Sequence, residues 1–170
     1  MIEHDFLEYS ADQLNHYTGR IEDCLGRLSA DQIWTRNSDN ENAVGNIVLH
    51  LCGNVRQWII AGVGGAPDVR DRDSEFAARG GLAPADLAAK LKTTIAEAAQ
   101  VIRSVPAERL KERKVIQKVY DQTVMEAIYH VVEHFAQHTG QIIFATKLLT
   151  GQDLGYYKHL NKPKHLETTP

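Results

Sequence analysis

The sequence predicts an all-α domain, most simply a four-helix bundle, from three observations. Four long segments repeat apolar residues every three to four positions, which is the period of a helix with one buried face. No segment has a convincing strand pattern, and the one extended candidate, 111–120, is too short and isolated to imply a sheet. The chain has 170 residues, 43% of them apolar and 24% charged, which suits one globular domain over 1–170.

The predicted helices follow one another with clear boundaries at several points. The first runs over about 2–27, and the second runs over about 43–61 and ends at Gly62. The third extends from the PADLAAK segment to about Ser104, because a proline close to a helix start is favourable. The last covers about 123–149, with Gly151 as its C-terminal stop.

Two segments lack a helical period. The connection between the second and third helices, GVGGAPDVRDRDSEF at 62–76, combines glycines, a proline and alternating charges, which predicts a long irregular loop. Its length permits a crossover between the helices. From about residue 152 onward we expect a tail that either lies over the helices or is mobile.

Composition excludes several classes of protein. The net charge is −3 with no basic block, so we expect no nucleic-acid partner. The acidic N-terminus lacks the features of a secretory signal, and no run approaches the roughly 20 apolar residues of a membrane span. The two cysteines, Cys24 and Cys52, are too few for a disulfide framework. We therefore expect a cytoplasmic protein with no membrane partner.

Histidines in the last helix form the most informative pattern of the chain. Residues four apart share a helix face, so His134 and His138 can direct two imidazoles to one point at the border of the apolar stripe. His130 continues the spacing, but three such residues spread over about 12 Å, so we assign His130 a structural or supporting role. A metal site needs a further ligand, and His50 of the second helix, beside its apolar face, is the candidate. Spacing alone favours the other interpretation, two surface or core-edge histidines satisfied by hydrogen bonds.

Two segments carry a family resemblance. HVVEHFAQHTGQI at 130–142 and NIVLHLCGNVRQWI at 46–59 resemble the last and second helices of the DinB-like (YfiT-like) superfamily, in a subfamily known mainly as a domain of unknown function. The resemblance implies a DinB-type four-helix bundle and a metal held by His50, His134 and His138. One departure is Thr139, which stands where many members have an arginine that contacts a substrate or partner.

The resemblance also implies a reaction class. Three neutral imidazoles leave coordination positions open and suit zinc or nickel. The superfamily includes thiol-dependent S-transferases, so the first hypothesis is a metal-dependent enzyme that activates a low-molecular-weight thiol such as bacillithiol or mycothiol. A hydrolase using a metal-bound water is one alternative, although Glu133 is poorly placed as its base. A non-catalytic, stress-associated metal-binding bundle is another.

The remaining expectations concern the surroundings of the metal and the assembly. Gln141 or Asn54 would orient a ligand or a water beside the histidines. The charged segment 68–73 either borders the entrance to the site or is a solvated turn. The substrate would be a small molecule, and we expect a homodimer, because helical bundles of this size often pair through an exposed apolar face.

Overall fold

The computed structural model describes residues 2–161 and is mostly helical, with 69% helix and a small two-stranded sheet. The mostly helical content confirms the predicted all-α class. None of the helices in this range is long and apolar enough to cross a membrane. The elements are α1 (Ile2–Arg27), α2 (Val44–Val55), α3 (Arg72–Ala77), α4 (Pro84–Arg103), β1 (Arg113–Ile116), β2 (Tyr120–Thr123) and α5 (Val124–Thr150), with short 3-10 helices at Gln32–Trp34, Ala107–Lys111 and Lys158–Asn161.

The four long helices share one apolar core. Helix α1 packs against α4 and α5, and α2 packs against the same two helices. The largest side chains buried between them are Trp58, Phe135, Leu14, Ile21 and Leu25. Because α2 and α5 are in contact, side chains on their facing surfaces can meet.

Helix α5 begins and ends as its sequence predicts. At its start, Thr123 Oγ1 accepts a hydrogen bond from Glu126 N at 3.2 Å, and Glu126 Oε2 accepts one from Thr123 N at 2.7 Å. Such reciprocal caps satisfy backbone groups that a helix leaves free. At its end, Gly151 adopts φ 66°, a left-handed conformation that glycine reaches without steric cost.

The second predicted helix changes its geometry near its end. Helix α2 continues directly into a π-helix, Arg56–Val63, in which Gly64 N donates to Ile59 O at 2.8 Å. Each turn of a π-helix holds more residues than an α-helical turn, and such turns are frequent at functional sites. The segment supplies Gln57 and Trp58 to the region described below.

The connection 62–76 is more ordered than expected. Its last part forms α3, a helix of six residues that Asp71 caps by accepting from Ser74 N at 3.2 Å. The apolar period could not reveal this helix, because it is shorter than two turns and the residue it buries is a carboxylate, Glu75.

The expectation of no sheet was wrong. Strands β1 and β2 form an antiparallel hairpin with Arg113 opposite Thr123 and Ile116 opposite Tyr120. The sequence pattern did not reveal this hairpin because most of the strand side chains are polar and Ile116 alone among them is buried, so neither strand shows an apolar alternation. Its turn places Gln117 and Lys118 at positive φ without a glycine to mark it.

The first part of the predicted tail lies over α1. Leu154 is buried in the core, and the Tyr156 hydroxyl lies 3.0 Å from Asp23 Oδ2 and 3.2 Å from Arg20 O. The rest of that predicted tail, 162–170, lies outside the described residues.

Candidate metal centre

The three histidines predicted as ligands meet between α2 and α5. His134 Nε2 lies 3.1 Å from His50 Nε2 and 3.2 Å from His138 Nε2. One nitrogen from each of the three residues lies within 4.8 Å of the other two, so the group could hold a metal ion. His134 and His138 come from adjacent turns of α5, and the buried Phe135 between them anchors that part of the helix in the core.

His50 is more buried than the sequence indicated. Its position beside the apolar face predicted the rim of an open cleft, yet the residue is only 7% exposed. The neighbouring Asn46 explains part of the difference, because its amide donates to Glu75 O at 2.9 Å and Ala78 O at 2.9 Å. These bonds hold the segment around α3 over the helix, and that segment covers His50.

Hydrogen-bond acceptors determine which ring nitrogens of two histidines carry a proton. His50 Nδ1 lies 3.3 Å from Glu75 Oε2, and His138 Nδ1 lies 2.8 Å from Gln141 Oε1. Since both partners are acceptors, both Nδ1 atoms are protonated and both Nε2 atoms carry a bare lone pair. Arg70 Nη2 also lies 3.1 Å from His50 Nδ1, but Nη2 already donates to Glu75 Oε2 at 2.8 Å, so we assign the Nδ1 proton to the bond with the Glu75 carboxylate.

The arrangement of lone pairs fits a cation. His134 Nε2 can carry at most one proton, so it cannot satisfy the bare nitrogens of both His50 and His138 with a full hydrogen bond to each. In a tetrahedral zinc site with Zn–N bonds of about 2.0–2.1 Å, ligand nitrogens are about 3.3 Å apart. The 3.1 and 3.2 Å separations here are close to that value. The donor set therefore suits a divalent ion bound through imidazole.

Burial keeps the imidazoles of His134 and His138 neutral. It lowers the pKa of His134 to about 3, and the neighbouring His138 and His50 act in the same direction. Burial also lowers the pKa of His138, although the hydrogen bond with Gln141 opposes the change. A neutral imidazole is the form that binds a metal, so both residues are ready to act as ligands at neutral pH.

A buried ion pair supports His50 from behind. Arg70 donates to Glu75 through Nε at 2.8 Å and Nη2 at 2.8 Å, and both side chains are nearly inaccessible to solvent. Burial alone would raise the pKa of Glu75, but hydrogen bonds from Arg70 and His50 outweigh it and leave the pKa lowered. Glu75 is therefore a carboxylate, and it orients the His50 ring as partners of metal-binding histidines commonly do.

The hydrogen-bonded chain continues to the hairpin. Gln57 Oε1 accepts from Arg70 Nη1 at 2.9 Å and from Gln117 Nε2 at 2.7 Å. The turn between β1 and β2 is thus connected to His50 through Gln57, Arg70 and Glu75. Sequence reasoning missed Glu75 and its bond to Arg70, because both lie in a segment without a helical period.

A cleft of about 490 Å³ opens onto the three histidines. Arg70 and Arg72 line it, so part of the charged segment 68–73 does border the entrance. Asn54 and His130 also line the cleft. None of the described residues that line it is Asp or Glu, and Glu133 lies on a different cavity beside Phe6.

The fold and the cluster define a helical protein with three histidines able to hold a metal ion. The chain matches DUF1572, described as a protein of unknown function, over residues 1–165, and so belongs to that family. A solved structure, that of a conserved protein from Enterococcus faecalis, is similar with a TM-score of 0.70 and 17% identity over 85% of this chain and 96% of that chain. At this identity the similarity concerns the fold alone. No curated protein matches the sequence.

Proposed function

We propose that this protein is a metal-dependent S-transferase of the DinB-like superfamily that joins a low-molecular-weight thiol, through its sulfur, to a small electrophile. In this proposal His50, His134 and His138 hold zinc or nickel in a DinB-type four-helix bundle. The observation that carries it is the convergence of three histidine Nε2 atoms. The Nδ1–H of His50 donates to Glu75, and that of His138 donates to Gln141.

The chain's own residues divide the work of such a site. A divalent ion bound there would supply Lewis acidity that favours the thiolate form of a nearby thiol. Glu75 and Gln141 keep the two histidines in the tautomer that directs Nε2 to the ion. Arg70 holds the Glu75 carboxylate in place, and the burial of His50 limits access of water from that side.

The absence of a free carboxylate favours transfer over hydrolysis. A hydrolase of this kind needs a base within reach of the attacking water. Among the described residues that line the cleft none is Asp or Glu, and Glu75 is already bonded to Arg70 and His50. A thiol is far more acidic than water, with an ordinary pKa of about 8.5, so a thiol at the metal ionises and releases its proton to solvent with less need of a base. The cleft therefore suits the transferase better.

Packing between the helices supports the larger features of the proposal. Helices α1 and α2 each pack against α4 and α5, which suits a four-helix bundle, and in the proposal this bundle is one domain over 1–170. Helix α5 exposes the large apolar side chains of Phe144 and Leu148, which would suit the interface of a homodimer. The exposed pair would lose contact with water on dimerisation, which stabilises such an assembly.

Metal analysis tests the site. We expect the purified protein to carry about one zinc or nickel ion per chain. His134→Ala should lose that ion, whereas His16→Ala, which changes an exposed histidine of α1, should keep it. Full metal retention in His134→Ala would contradict the assignment of the metal site.

The reaction is tested by adding or omitting a thiol. Chlorodinitrobenzene is offered to the metal-loaded protein with bacillithiol, with mycothiol and without either thiol. We expect turnover only when a thiol is present. Equal turnover without thiol would support the hydrolase, and no turnover under any condition with the metal retained would support the non-catalytic bundle.

A further inference from the structure

Polar groups without partners are concentrated in the metal cleft. Five buried side-chain polar atoms in residues 2–161 have no hydrogen-bond partner. Four of the five belong to residues that line this cleft: Asn54 Oδ1, Trp58 Nε1, Gln122 Oε1 and His134 Nδ1. Buried polar groups normally have partners, because leaving one unpaired costs about 1–3 kcal/mol. Because these atoms are covered in the structure, their grouping around one cavity points to a ligand whose binding turns the side chains toward it.

Aromatic rings line the part of the cleft around Trp58. The Trp58 ring lies 4.2 Å from His130 and 5.5 Å from Tyr120, measured between ring centroids. Trp58 itself is 2% exposed and Asn54 is 4% exposed, whereas Tyr120 is 46% exposed. We call Asn54, Trp58, Tyr120, Gln122 and His130 the aromatic subsite. Because these rings already pack against one another, the exposed Tyr120 ring is the surface on which a planar ring can stack.

The subsite lies about one helical turn from the metal ligands. His130 precedes His134 by four residues, which corresponds to a rise of about 6 Å along α5. Asn54 follows His50 by the same interval on α2. A ligand with one group at the histidines and a ring in the aromatic subsite therefore has a short linker between the two.

Charge determines the group at the histidine end. The Arg72 guanidinium lies 4.8 Å from the centre of the Phe76 ring, and that ring lies 4.9 Å from the ring of His50. Within the described part of the chain Arg72 forms no salt bridge, and no carboxylate lines the cleft to offset it. Positive charge from Arg72 and from a bound ion favours an anion at this end.

We propose that the cleft binds a phenolic acid or thiol: an anionic head group at the histidines, a short alkyl linker and a hydroxylated aromatic ring in the aromatic subsite. Once these side chains turn to meet the ligand, the ring hydroxyl accepts from Trp58 Nε1 and donates to Asn54 Oδ1 or Gln122 Oε1, which satisfies atoms that a plain hydrocarbon ring would leave unpaired. Of these features, the position of the anionic head group at the histidines is the one that rests on the proposed function.

Four probes, three carboxylates and one amide, separate these features on the zinc-loaded full-length protein. They are para-hydroxyphenylpropanoate, phenylpropanoate without the hydroxyl, cyclohexylpropanoate without the aromatic ring, and phenylpropanamide without the charge. Calorimetry measures each dissociation constant. The chain has two tryptophans, so in the Trp34→Phe variant a change in tryptophan fluorescence on binding reports on Trp58. We expect the hydroxylated probe to bind about tenfold more tightly than phenylpropanoate, and phenylpropanoate to bind more tightly than the other two.

Variants place the ring in the subsite. Tyr120→Leu should weaken binding of the hydroxylated probe about tenfold, whereas Tyr129→Leu, an exposed tyrosine of α5 outside this cleft, should leave it unchanged. Arg72→Gln should weaken the binding of the three anionic probes and leave the binding of the amide unchanged. Equal affinities for the four probes, absence of binding, or equal effects of the two tyrosine variants would overturn the proposal.

These outcomes are separate from those of the proposed function. The metal content of Tyr120→Leu and Arg72→Gln should equal that of the unmodified protein, because neither residue is a ligand. Retained metal with no selectivity among the probes would reject the phenolic ligand and leave the metal site intact. Loss of the site itself would appear in the His134→Ala metal analysis.

Discussion

Glu75 accepts a hydrogen bond from His50 Nδ1 at 3.3 Å although it belongs to a six-residue helix in the middle of a charged connection. The bond joins a ligand of the candidate metal site to a segment with little apolar content. Because Arg70 holds the same carboxylate with two hydrogen bonds, the position of the His50 ring depends on residues that never touch the metal.

Glu75→Gln should weaken metal binding about 10- to 100-fold, because it removes the negative charge that orients His50 and leaves Arg70 without its ionic partner. Competition with a chromogenic chelator measures the zinc dissociation constant. The matched control is Glu97→Gln, which removes the more exposed ion pair with Arg56 and should not change zinc affinity. Equal affinities of the two variants would contradict the supporting role of Glu75.

Gly53→Ala should also lower zinc affinity, although residue 53 is not a ligand. A Cβ at this position would lie 2.7 Å from Glu75 Cδ and 3.0 Å from Arg70 Nε, so the ion pair must shift away from His50. Chelator competition again gives the measurement.

Gly140→Ala is the control for this substitution. A Cβ there would meet nothing within 4 Å, and residue 140 lies within α5. We expect it to raise the free energy of unfolding by about 0.5–1 kcal/mol and to keep zinc affinity. A Gly53→Ala protein with unchanged zinc affinity would show that the ion pair can move without consequence for the site.

The metal-free protein should lose stability as the pH falls from 7.5 to 5.0. His134 has a folded-state pKa of about 3, below its ordinary value of 6.5. Between those two values the unfolded chain binds a proton that the folded chain does not, so acid favours unfolding. At pH 7.5 the residue is neutral in both states and contributes nothing to the difference.

Urea denaturation of chelator-treated protein at the two pH values measures this effect. The free energy of unfolding of His134→Gln should fall less between pH 7.5 and 5.0 than that of the unmodified protein. An equal fall in both proteins would show that His134 is not held neutral by its surroundings.

Tyr156→Phe should reduce the free energy of unfolding by about 1 kcal/mol, because it removes the hydroxyl that bonds to Asp23 and Arg20 O. Thermal and urea denaturation measure the loss, and metal content should not change. Tyr157→Phe is the comparison, since that side chain is exposed and should have a smaller effect. If Tyr157→Phe lost stability and Tyr156→Phe did not, the stabilising hydroxyl would be that of Tyr157, which would contradict the prediction.

The sequence predicted the parts of the site that depend on helical spacing. The intervals within α5 placed His134 and His138 on one face and put Gln141 beside them, where it bonds to His138. The amphipathic pattern of α2 gave His50 as the candidate third ligand. These predictions depend only on the rise and rotation per residue, which are nearly constant in a helix.

The parts that were missed depend on long-range contacts. Glu75 is buried because Asn46 binds the carbonyls of Glu75 and Ala78, and no local pattern encodes that contact. The hairpin was missed because its side chains are polar and its turn uses Gln117 and Lys118 at positive φ instead of glycine. Tertiary contacts determine both features, and one sequence without aligned relatives does not display them.

Because the site lies between α2 and α5, its geometry depends on which residues of the two helices face each other. His50, Asn54 and Trp58 follow one another at four-residue intervals, and so do His130, His134 and His138. Inserting one residue between any two of them would rotate the next by about 100° and move it by about 1.5 Å, which would turn it away from its partner. The two connections between these helices and α4 also supply residues to the site, Arg70 and Glu75 before α4 and Tyr120 and Gln122 after it. A variant chain can therefore lengthen those connections only away from these residues, whereas the intervals from 50 to 58 and from 130 to 138 must stay fixed for the metal and the ring to share one cleft.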